Sequence, residues 1–202
     1  MKRTKEDAQH TRDALLSAAL VVFSARGFTA ATLEDIAAEA QVTRGALYHH
    51  FSGKAELFDT LLTRAGKLPG QIVQQALERG GPFLEIMRRV FVQQIVVMET
   101  DSVYRATVEL VMFKLDGHPH LEQVRARVSE GRQASLLLLT DALQEGVKQG
   151  VVRSNLDSSQ LAVAFLSLQI GFFHVWNSNP EGMVLEQSAQ ILAEVLISGI
   201  RA

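Results

Sequence analysis

The segment Thr32–Phe51, which reads TLEDIAAEAQVTRGALYHHF, constrains the fold more than any other part of this 202-residue chain. It has the pattern of two short helices joined by a tight turn at Gln41-Val42. Thr32 is a favourable N-cap, and Asp35 three residues later completes a pair like a capping box. Thr43 stands where it can cap the second helix. The spacing therefore predicts two helices fixed at a steep angle, as in a helix–turn–helix.

Small and apolar residues are expected on the inner side of this crossing, and polar residues on the outer side of its second helix. The inner residues are Ala37, Val42 and Leu47. The outer residues are Thr43, Arg44, Tyr48 and His49. Polar side chains on an exposed, short second helix indicate a helix that enters the major groove of double-stranded DNA.

Each outer residue has a chemistry that suits DNA. Arg44 can bind guanine O6 and N7 together, or a phosphate. Thr43 can contact a base methyl group or a phosphate, and Tyr48 and His49 can donate to backbone oxygens. Gly45 costs the helix about 1 kcal/mol relative to alanine, a cost that close approach of the helix backbone to DNA explains.

Further phosphate contacts are expected around this segment. Lys54 begins the following helix, where its charge and the free N–H groups can bind a phosphate together. Thr32 can bind another. A basic arm at the N-terminus, with Lys2, Arg3 and Lys5, can also reach the duplex.

The residues alone leave a plainer interpretation open. Helical hairpins with threonine caps are common, Arg44 can be a solvated charge, and Tyr48 can be a packed aromatic with its hydroxyl at the surface. The net charge is −2, and residues 1–66 hold eight Lys and Arg against eight Asp and Glu. DNA binding must then depend on where the charges lie and not on their sum.

The rest of the chain predicts an all-α fold of about nine helices, because no segment alternates apolar and polar residues over a strand's length. The four prolines stand where helical patterns break: Pro69, Pro82, Pro119 and Pro180. There is no cysteine, which excludes disulfides and Cys-based metal sites. The N-terminus lacks the apolar stretch of a signal peptide, so we expect a cytoplasmic protein.

Two domains are predicted, a DNA-binding domain over residues 1–66 and a second domain over residues 67–202. The helix that begins at Lys54 is expected to end near Lys67, with a bend through Gly70. A nearly apolar helix from about Leu161 to Trp176 is too short and too polar to span a membrane. It is expected to face the core on one side and a partner subunit on the other. The last helix, from about Met183 to Ile200, has Ser188 and Gly199 where another helix can approach closely.

The N-terminal region resembles the TetR family of bacterial transcriptional regulators. The resemblance rests on TRDALLSAALVVFSARGFTAATLEDIAAEAQVTRGALYHHF and the following SGKAELF. QVTRGALYHHF looks most like the AcrR-type repressors of multidrug efflux pumps. The resemblance implies that the first helix ends at Gly27. It also implies that Thr43, Arg44, Tyr48, His49 and Lys54 occupy positions that commonly meet DNA.

The same resemblance implies a homodimer built by the last two helices and a small-molecule inducer that binds the C-terminal domain. Binding of this ligand is expected to separate the DNA-binding heads and release a palindromic operator. A repressor of an efflux pump is the leading interpretation. Control of a catabolic or lipid pathway is the alternative within the family, and activation instead of repression stays open.

Apolar residues with a few polar groups among them are the candidates for the ligand pocket. They are Met87, Phe91, Val108, Glu109, Met112, Phe113, Phe165, Gln169, Phe172 and Trp176. The apolar members can equally be ordinary core. Gln169 and His174 can form hydrogen bonds across a dimer interface, and Glu109 can recognise a cationic drug or pair with Arg105.

Other function classes find less support in the residues. No catalytic or phosphate-binding motif is recognisable, so we expect no enzyme and no cofactor. His118 and His120 are two imidazoles with no third ligand nearby, so no metal site is predicted. A helical adaptor protein without DNA binding is the remaining alternative, but it does not need an outward set such as Arg44, Tyr48 and Lys54.

Overall fold

The computed structural model of the chain describes residues 5–113, 122–179 and 182–202. Over these ranges the chain forms helices and no strand, which confirms the predicted all-α class. The helices are α1 (Lys5–Ala30), α2 (Leu33–Glu39), α3 (Arg44–His50), α4 (Lys54–Glu78), α5 (Phe83–Thr100), α6 (Ser102–Phe113), α7 (Glu122–Lys148), α8 (Ser158–Ser178) and α9 (Leu185–Ile200).

The chain divides into two compact units. The first comprises Met1–Lys67 and Asp101–Ala126, and the second comprises Leu68–Thr100 and Arg127–Ala202. The division at Lys67 lies next to the predicted domain boundary. However, α6 belongs to the first unit, although the sequence placed it within residues 67–202. The functional domain limits therefore stay a prediction.

An apolar core formed by the first four helices and α6 holds the first unit together. Leu15, Ile36, Leu47 and Leu110 are fully buried in it. An aromatic cluster of Phe23, Phe28 and Phe58 lies at one end, with ring centroids 5.3 to 5.6 Å apart. Two of its three ring pairs are edge-to-face, the arrangement that aromatic quadrupoles favour.

Gly27 interrupts α1, as the sequence predicts. Its φ of 74° is in the left-handed region that favours glycine, and the remaining turn of α1 follows it. The change of direction turns Phe28 toward Phe23 and Phe58. The glycine thus ends the straight part of the helix and allows the aromatic cluster to close.

The second unit is organised around α5, which packs against α9 and α8. The guanidinium of Arg88 on α5 donates to both oxygens of Glu85 and to Gln190 on α9. The C-terminus is fixed by a backbone bridge between Val152 and Arg201. These bonds join the end of α9 to the loop before α8.

The predicted end of α4 was wrong, because the helix continues through Pro69. The helix runs through Pro69 to Glu78, instead of ending near Lys67 with a bend through Gly70. An internal proline costs a helix about 3 kcal/mol because it lacks the N–H and crowds the preceding turn. Burial of Ile72 and Ala76 further along α4 offsets that cost. Pro82 precedes α5 as predicted, while Pro119 and Pro180 lie outside the described residues.

Helix α8 is longer than predicted. Its 21 residues begin after Asp157, whose carboxylate accepts from the N–H of Gln160 at 2.9 Å. By length and composition alone, both α8 and α1 could cross a membrane, so the expectation that α8 is too short and too polar to do so was wrong. This is weak evidence for a span, since core helices of soluble proteins pass the same test.

Candidate nucleic-acid interface

The first short helix of the candidate interface begins as its sequence predicts. The hydroxyl of Thr32 accepts from the N–H of Asp35 at 3.1 Å and donates to the Asp35 carboxylate at 2.8 Å. The N–H of Thr32 donates to the same carboxylate, which completes a capping box. These bonds, together with the nearby guanidinium of Arg26, hold the pKa of Asp35 below its ordinary value. Thr32 thus fixes the start of α2.

The turn between the two helices is short and tightly bonded. Gln41 takes a positive φ of 55°, and the N–H of Val42 donates to the carbonyl of Ala37 at 3.0 Å. The hydroxyl of Thr43 then accepts from the N–H of Ala46 at 3.2 Å and caps α3. Ala37 and Leu47 are buried and Val42 packs against the same core, so the predicted inner side is confirmed.

The outer side of α3 is exposed. Thr43, Arg44, Gly45, Tyr48 and His49 all lie on the surface of the described chain, as does Thr32. A Cβ added at Gly45 meets only the Thr43 hydroxyl, at 3.9 Å. Packing within the described part of the chain therefore does not require a glycine there, which leaves room for a close external surface.

Arg44 is already held by two neighbours. Its Nη1 lies 2.7 Å from Oε1 of Glu34 on α2, and its Nη2 donates to the Tyr48 hydroxyl at 3.3 Å. The guanidinium also lies over the Tyr48 ring, 5.5 Å from its centroid. The bond with Tyr48 and the charge of Glu34 raise the pKa of Arg44. Sequence reasoning missed Glu34, because a pair across the turn follows no helical spacing.

Lys54 is held more firmly than the sequence suggests. Its ammonium donates to the carbonyls of Phe28, Thr29 and Ala31 at 2.8, 2.8 and 3.0 Å. It also lies 4.9 Å from the centroid of the Phe28 ring. The side chain therefore ties the start of α4 to the end of α1, where helix carbonyls lack partners. The predicted phosphate contact of Lys54 stays a prediction.

Every cationic side chain described between residues 6 and 66 has an acceptor within the chain. Arg26 pairs with Asp35 at 2.7 Å, Arg64 pairs with Asp13 at 3.4 Å, and Arg12 donates to the His50 carbonyl at 3.1 Å. Arg44 and Lys54 complete the set. A phosphate that takes the place of one of these acceptors must therefore exchange an internal partner for an external one. Lys2 and Arg3 lie outside the described residues, as does the side chain of Lys5.

The candidate pocket residues fall into both compact units. Met87, Phe91, Phe165 and Trp176 are buried in the second unit, where Phe172 is half-buried. The rings of Phe91 and Phe165 meet edge-to-face at 6.0 Å, and Gln169 donates to Gln94 at 2.7 Å.

Val108, Glu109 and Met112 are half-buried residues of α6, in the first unit. The side chain of Phe113 lies outside the described residues, as do His118 and His120. A shallow polar groove between the end of α7 and the start of α8 contains none of the predicted pocket residues. Among the described residues, no cluster of three or more His, Asp or Glu could hold a metal ion.

Comparison with known proteins agrees with the geometry over most of the chain. Residues 15–61 match the family model of bacterial regulatory proteins, tetR family, and residues 82–201 match the model of the MAATS-type transcriptional repressor, C-terminal region. The HTH-type transcriptional repressor BepR of Brucella suis is 30% identical, with 100% of this chain and 97% of that protein covered.

Two further relatives extend the comparison. The HTH-type transcriptional regulator TtgR of Pseudomonas putida is 31% identical over 96% of this chain and 90% of its own length. Among solved structures, NalD of Pseudomonas aeruginosa has a TM-score of 0.80 at 25% identity and covers 98% of both chains. NalD is described as the secondary repressor of the MexAB-OprM multidrug efflux pump.

We predict that Lys54→Met lowers the free energy of unfolding by about 1–3 kcal/mol, because three backbone carbonyls lose a charged donor. The measurement is urea unfolding at one fixed protein concentration. Lys67→Met is the matched control, since it removes an exposed lysine from the same helix and should cost less than about 0.5 kcal/mol. Equal stability of the two variants would show that the Lys54 bonds do not hold α1 and α4 together.

Proposed function

The chain belongs to the tetR family of bacterial regulatory proteins, and we propose that it represses transcription as a homodimer that leaves a palindromic operator when a small molecule binds. The observation that carries this proposal is the outer side of α3, where Arg44 and Tyr48 are exposed on a helix capped at Thr43. A regulator of this kind acts in the cytoplasm. We propose no catalytic role.

In the proposed complex α3 lies in the major groove. Arg44 binds a guanine edge, and Thr43 contacts a base methyl group or a phosphate. Tyr48 and His49 donate to phosphate oxygens, and Gly45 allows the helix backbone to come close to the duplex. Lys54 and Thr32 mark two flanking phosphate sites.

At those two flanking sites the side chains are engaged in the free protein, since Thr32 caps α2 and Lys54 binds three carbonyls. Backbone N–H groups at the starts of α2 and α4 therefore supply the contact there. The charge of Lys54 still adds to the attraction, because an ammonium bonded to neutral carbonyls keeps its positive charge.

The proposed dimer uses the outer faces of α8 and α9. The exposed apolar residues Val184, at the N-cap of α9, and Ile191 and Val195 within the helix follow one another at intervals of seven and four. Leu168 and Val175, seven residues apart, form a similar exposed stripe on α8. Apolar stripes on adjacent helices are characteristic of an interface that a second subunit covers. Gly171 and Gly199, both exposed, permit close approach of the partner's helices.

The proposed ligand is a small apolar or cationic molecule that binds among the aromatic residues of the second unit. Phe91, Phe165, Phe172 and Trp176 supply apolar surface there, and the Gln94–Gln169 pair supplies amide donors and acceptors. The roles of Met87, Val108, Glu109, Met112 and Phe113 in binding are proposed on the sequence pattern alone. The likeness to NalD supports an efflux pump as the regulated target.

We predict that Arg44→Ala weakens operator binding by about 1–3 kcal/mol if the guanidinium reads a base. The operator is first selected by the wild-type protein from a pool of random duplexes, and affinity is then measured by fluorescence anisotropy. Arg64→Ala is the control, because it removes an exposed, ion-paired arginine of the same unit that has no proposed DNA role. Unchanged affinity and base preference in Arg44→Ala would refute the base contact.

We predict that Val195→Glu converts the dimer to a monomer, because symmetry would place an unpaired carboxylate from each subunit in an apolar interface. Light scattering at micromolar concentration gives the mass directly. Leu77→Glu is the matched control, since Leu77 is an apolar residue of α4 that is similarly exposed. A wild-type protein with the mass of one chain would contradict the dimer itself, and a dimeric Val195→Glu would contradict this interface.

We predict that tetraphenylphosphonium, an apolar cation, quenches the fluorescence of Trp176, the chain's single tryptophan, in a saturable way and lowers operator affinity. Phe172→Ala should weaken probe binding about 3–10-fold, since it removes apolar lining. Leu77→Ala is the control. If the probe lowers operator affinity but does not quench Trp176, and Phe172→Ala leaves its effect on operator affinity unchanged, the ligand binds elsewhere.

A further inference from the structure

The ion pair between Glu34 and Arg44 joins the two helices of the candidate interface on their exposed side. Its Nη1–Oε1 distance is 2.7 Å, and the side chains of Arg44 and Glu34 are 61% and 56% exposed. Exposed ion pairs of this kind contribute little to folding. Removal of the pair is therefore expected to leave the fold of the two helices intact, so its effect on DNA binding can be tested separately.

The start of α2 does not depend on Glu34. Thr32 and Asp35 form the capping box, and Asp35 also pairs with Arg26 at 2.7 Å. Glu34 is thus a second acidic residue in the same turn, and its carboxylate is directed to Arg44 across the turn between the helices. It places a negative charge on the surface that is proposed to face a polyanion.

We propose that Glu34 is a specificity-determining residue, which competes with DNA phosphates for Arg44 and so suppresses binding to non-operator sequences. The proposal rests on the DNA contact of Arg44 proposed above. It assigns to Glu34 a positioning role: the carboxylate acts on DNA through the arginine that it holds.

A phosphate contact and a base contact of Arg44 have different effects on the Glu34–Arg44 ion pair. A phosphate replaces the Glu34 carboxylate as the anionic partner of Arg44, so the exchange gains little, and it leaves an unpaired carboxylate beside the duplex. A guanine edge is neutral and needs only two N–H donors. A guanidinium has five, of which one binds Glu34 and one binds Tyr48. Arg44 can therefore bind a base while the ion pair stays intact.

This difference matters because non-operator binding depends almost entirely on phosphate contacts. With Glu34 present, Arg44 contributes little to that binding and its counterion release is small. Without Glu34, the arginine becomes an ordinary phosphate ligand on any sequence. The discrimination between operator and bulk DNA falls accordingly.

The test compares Glu34→Gln with Glu39→Gln, each in the full-length protein. Glu39 is an exposed acid of the same helix, so its substitution makes the same change in net charge but keeps the Arg44 pair. Both variants are titrated with a random-sequence duplex and with the operator selected by the wild-type protein, over a series of salt concentrations. Thermal melting followed by circular dichroism checks that each variant is folded.

We expect Glu34→Gln to bind the random duplex about 3–10-fold more tightly than Glu39→Gln, with a slope of log K against log salt that is steeper by about one. Operator affinity should change less than about 2-fold, so that the ratio of the two affinities falls. In an Arg44→Ala background the two glutamine variants should bind random DNA equally, because the residue through which Glu34 acts is gone.

Equal random-duplex affinity of Glu34→Gln and Glu39→Gln in the wild-type background would overturn the proposal. So would an equal gain on random and operator duplexes, which is the mark of simple charge repulsion. Failure of the underlying DNA contact gives a different result: Arg44→Ala then leaves operator affinity unchanged whatever residue stands at position 34.

Discussion

The first compact unit depends most on the hydrogen bonds that the ammonium of Lys54 donates. It accepts no hydrogen bond and donates three, to carbonyls at the end of α1 that no helical N–H can reach. The bonds form beside the Phe23, Phe28 and Phe58 rings. The carbonyls therefore gain a hydrogen-bond donor at the same place where the aromatic side chains are buried. Because α2 and α3 lie between α1 and α4 in the chain, this closure fixes both ends of the segment that carries them. Gly27 makes it possible, since its positive φ turns the last carbonyls of α1 toward Lys54.

The candidate interface has no excess of positive charge, and its described cations are paired with acceptors in the chain. The described cations of residues 6–66 already have partners, and residues 1–66 have no net charge. A phosphate contact by one of these cations is then an exchange, in which the gain is the difference between two partners. Such a surface has little attraction for phosphates in general and gains most where a base offers an acceptor that no internal carboxylate can imitate. In the proposed role of Glu34, a single carboxylate competes with phosphates for a single arginine.

Local signals in the sequence correctly predicted the caps of α2 and α3 and the interruption of α1, but they could not predict contacts between distant residues. Thr32, Asp35 and Thr43 cap helices within three residues of themselves, and Gly27 ends a helix by its own φ, so spacing alone was sufficient. The Lys54 bonds join residues 23 to 26 positions apart, and the Glu34–Arg44 pair crosses a turn, so neither has a periodic signature. The end of α4 was predicted wrongly for a related reason. The helix continues past Pro69 because the side chains of Ile72 and Ala76 are buried, and helix propensity does not predict burial.

A DNA-binding head whose phosphate contacts are exchanges gains only a modest free energy from one half-site. Two heads joined in one molecule bind the second half-site as an intramolecular event, so affinity rises steeply without any new contact. The exposed apolar stripes of α8 and α9 supply the surface for joining two chains, and α5 packs against both helices and carries Phe91 beside Phe165. In the proposed dimer a ligand among these aromatic residues would therefore touch the helices that hold the subunits together. Linkage then requires that a ligand which prefers the DNA-free form weakens operator binding by the same factor by which the operator weakens ligand binding. A ligand that prevents both heads from binding at once removes the gain from joining them, so operator affinity falls toward that of a single head.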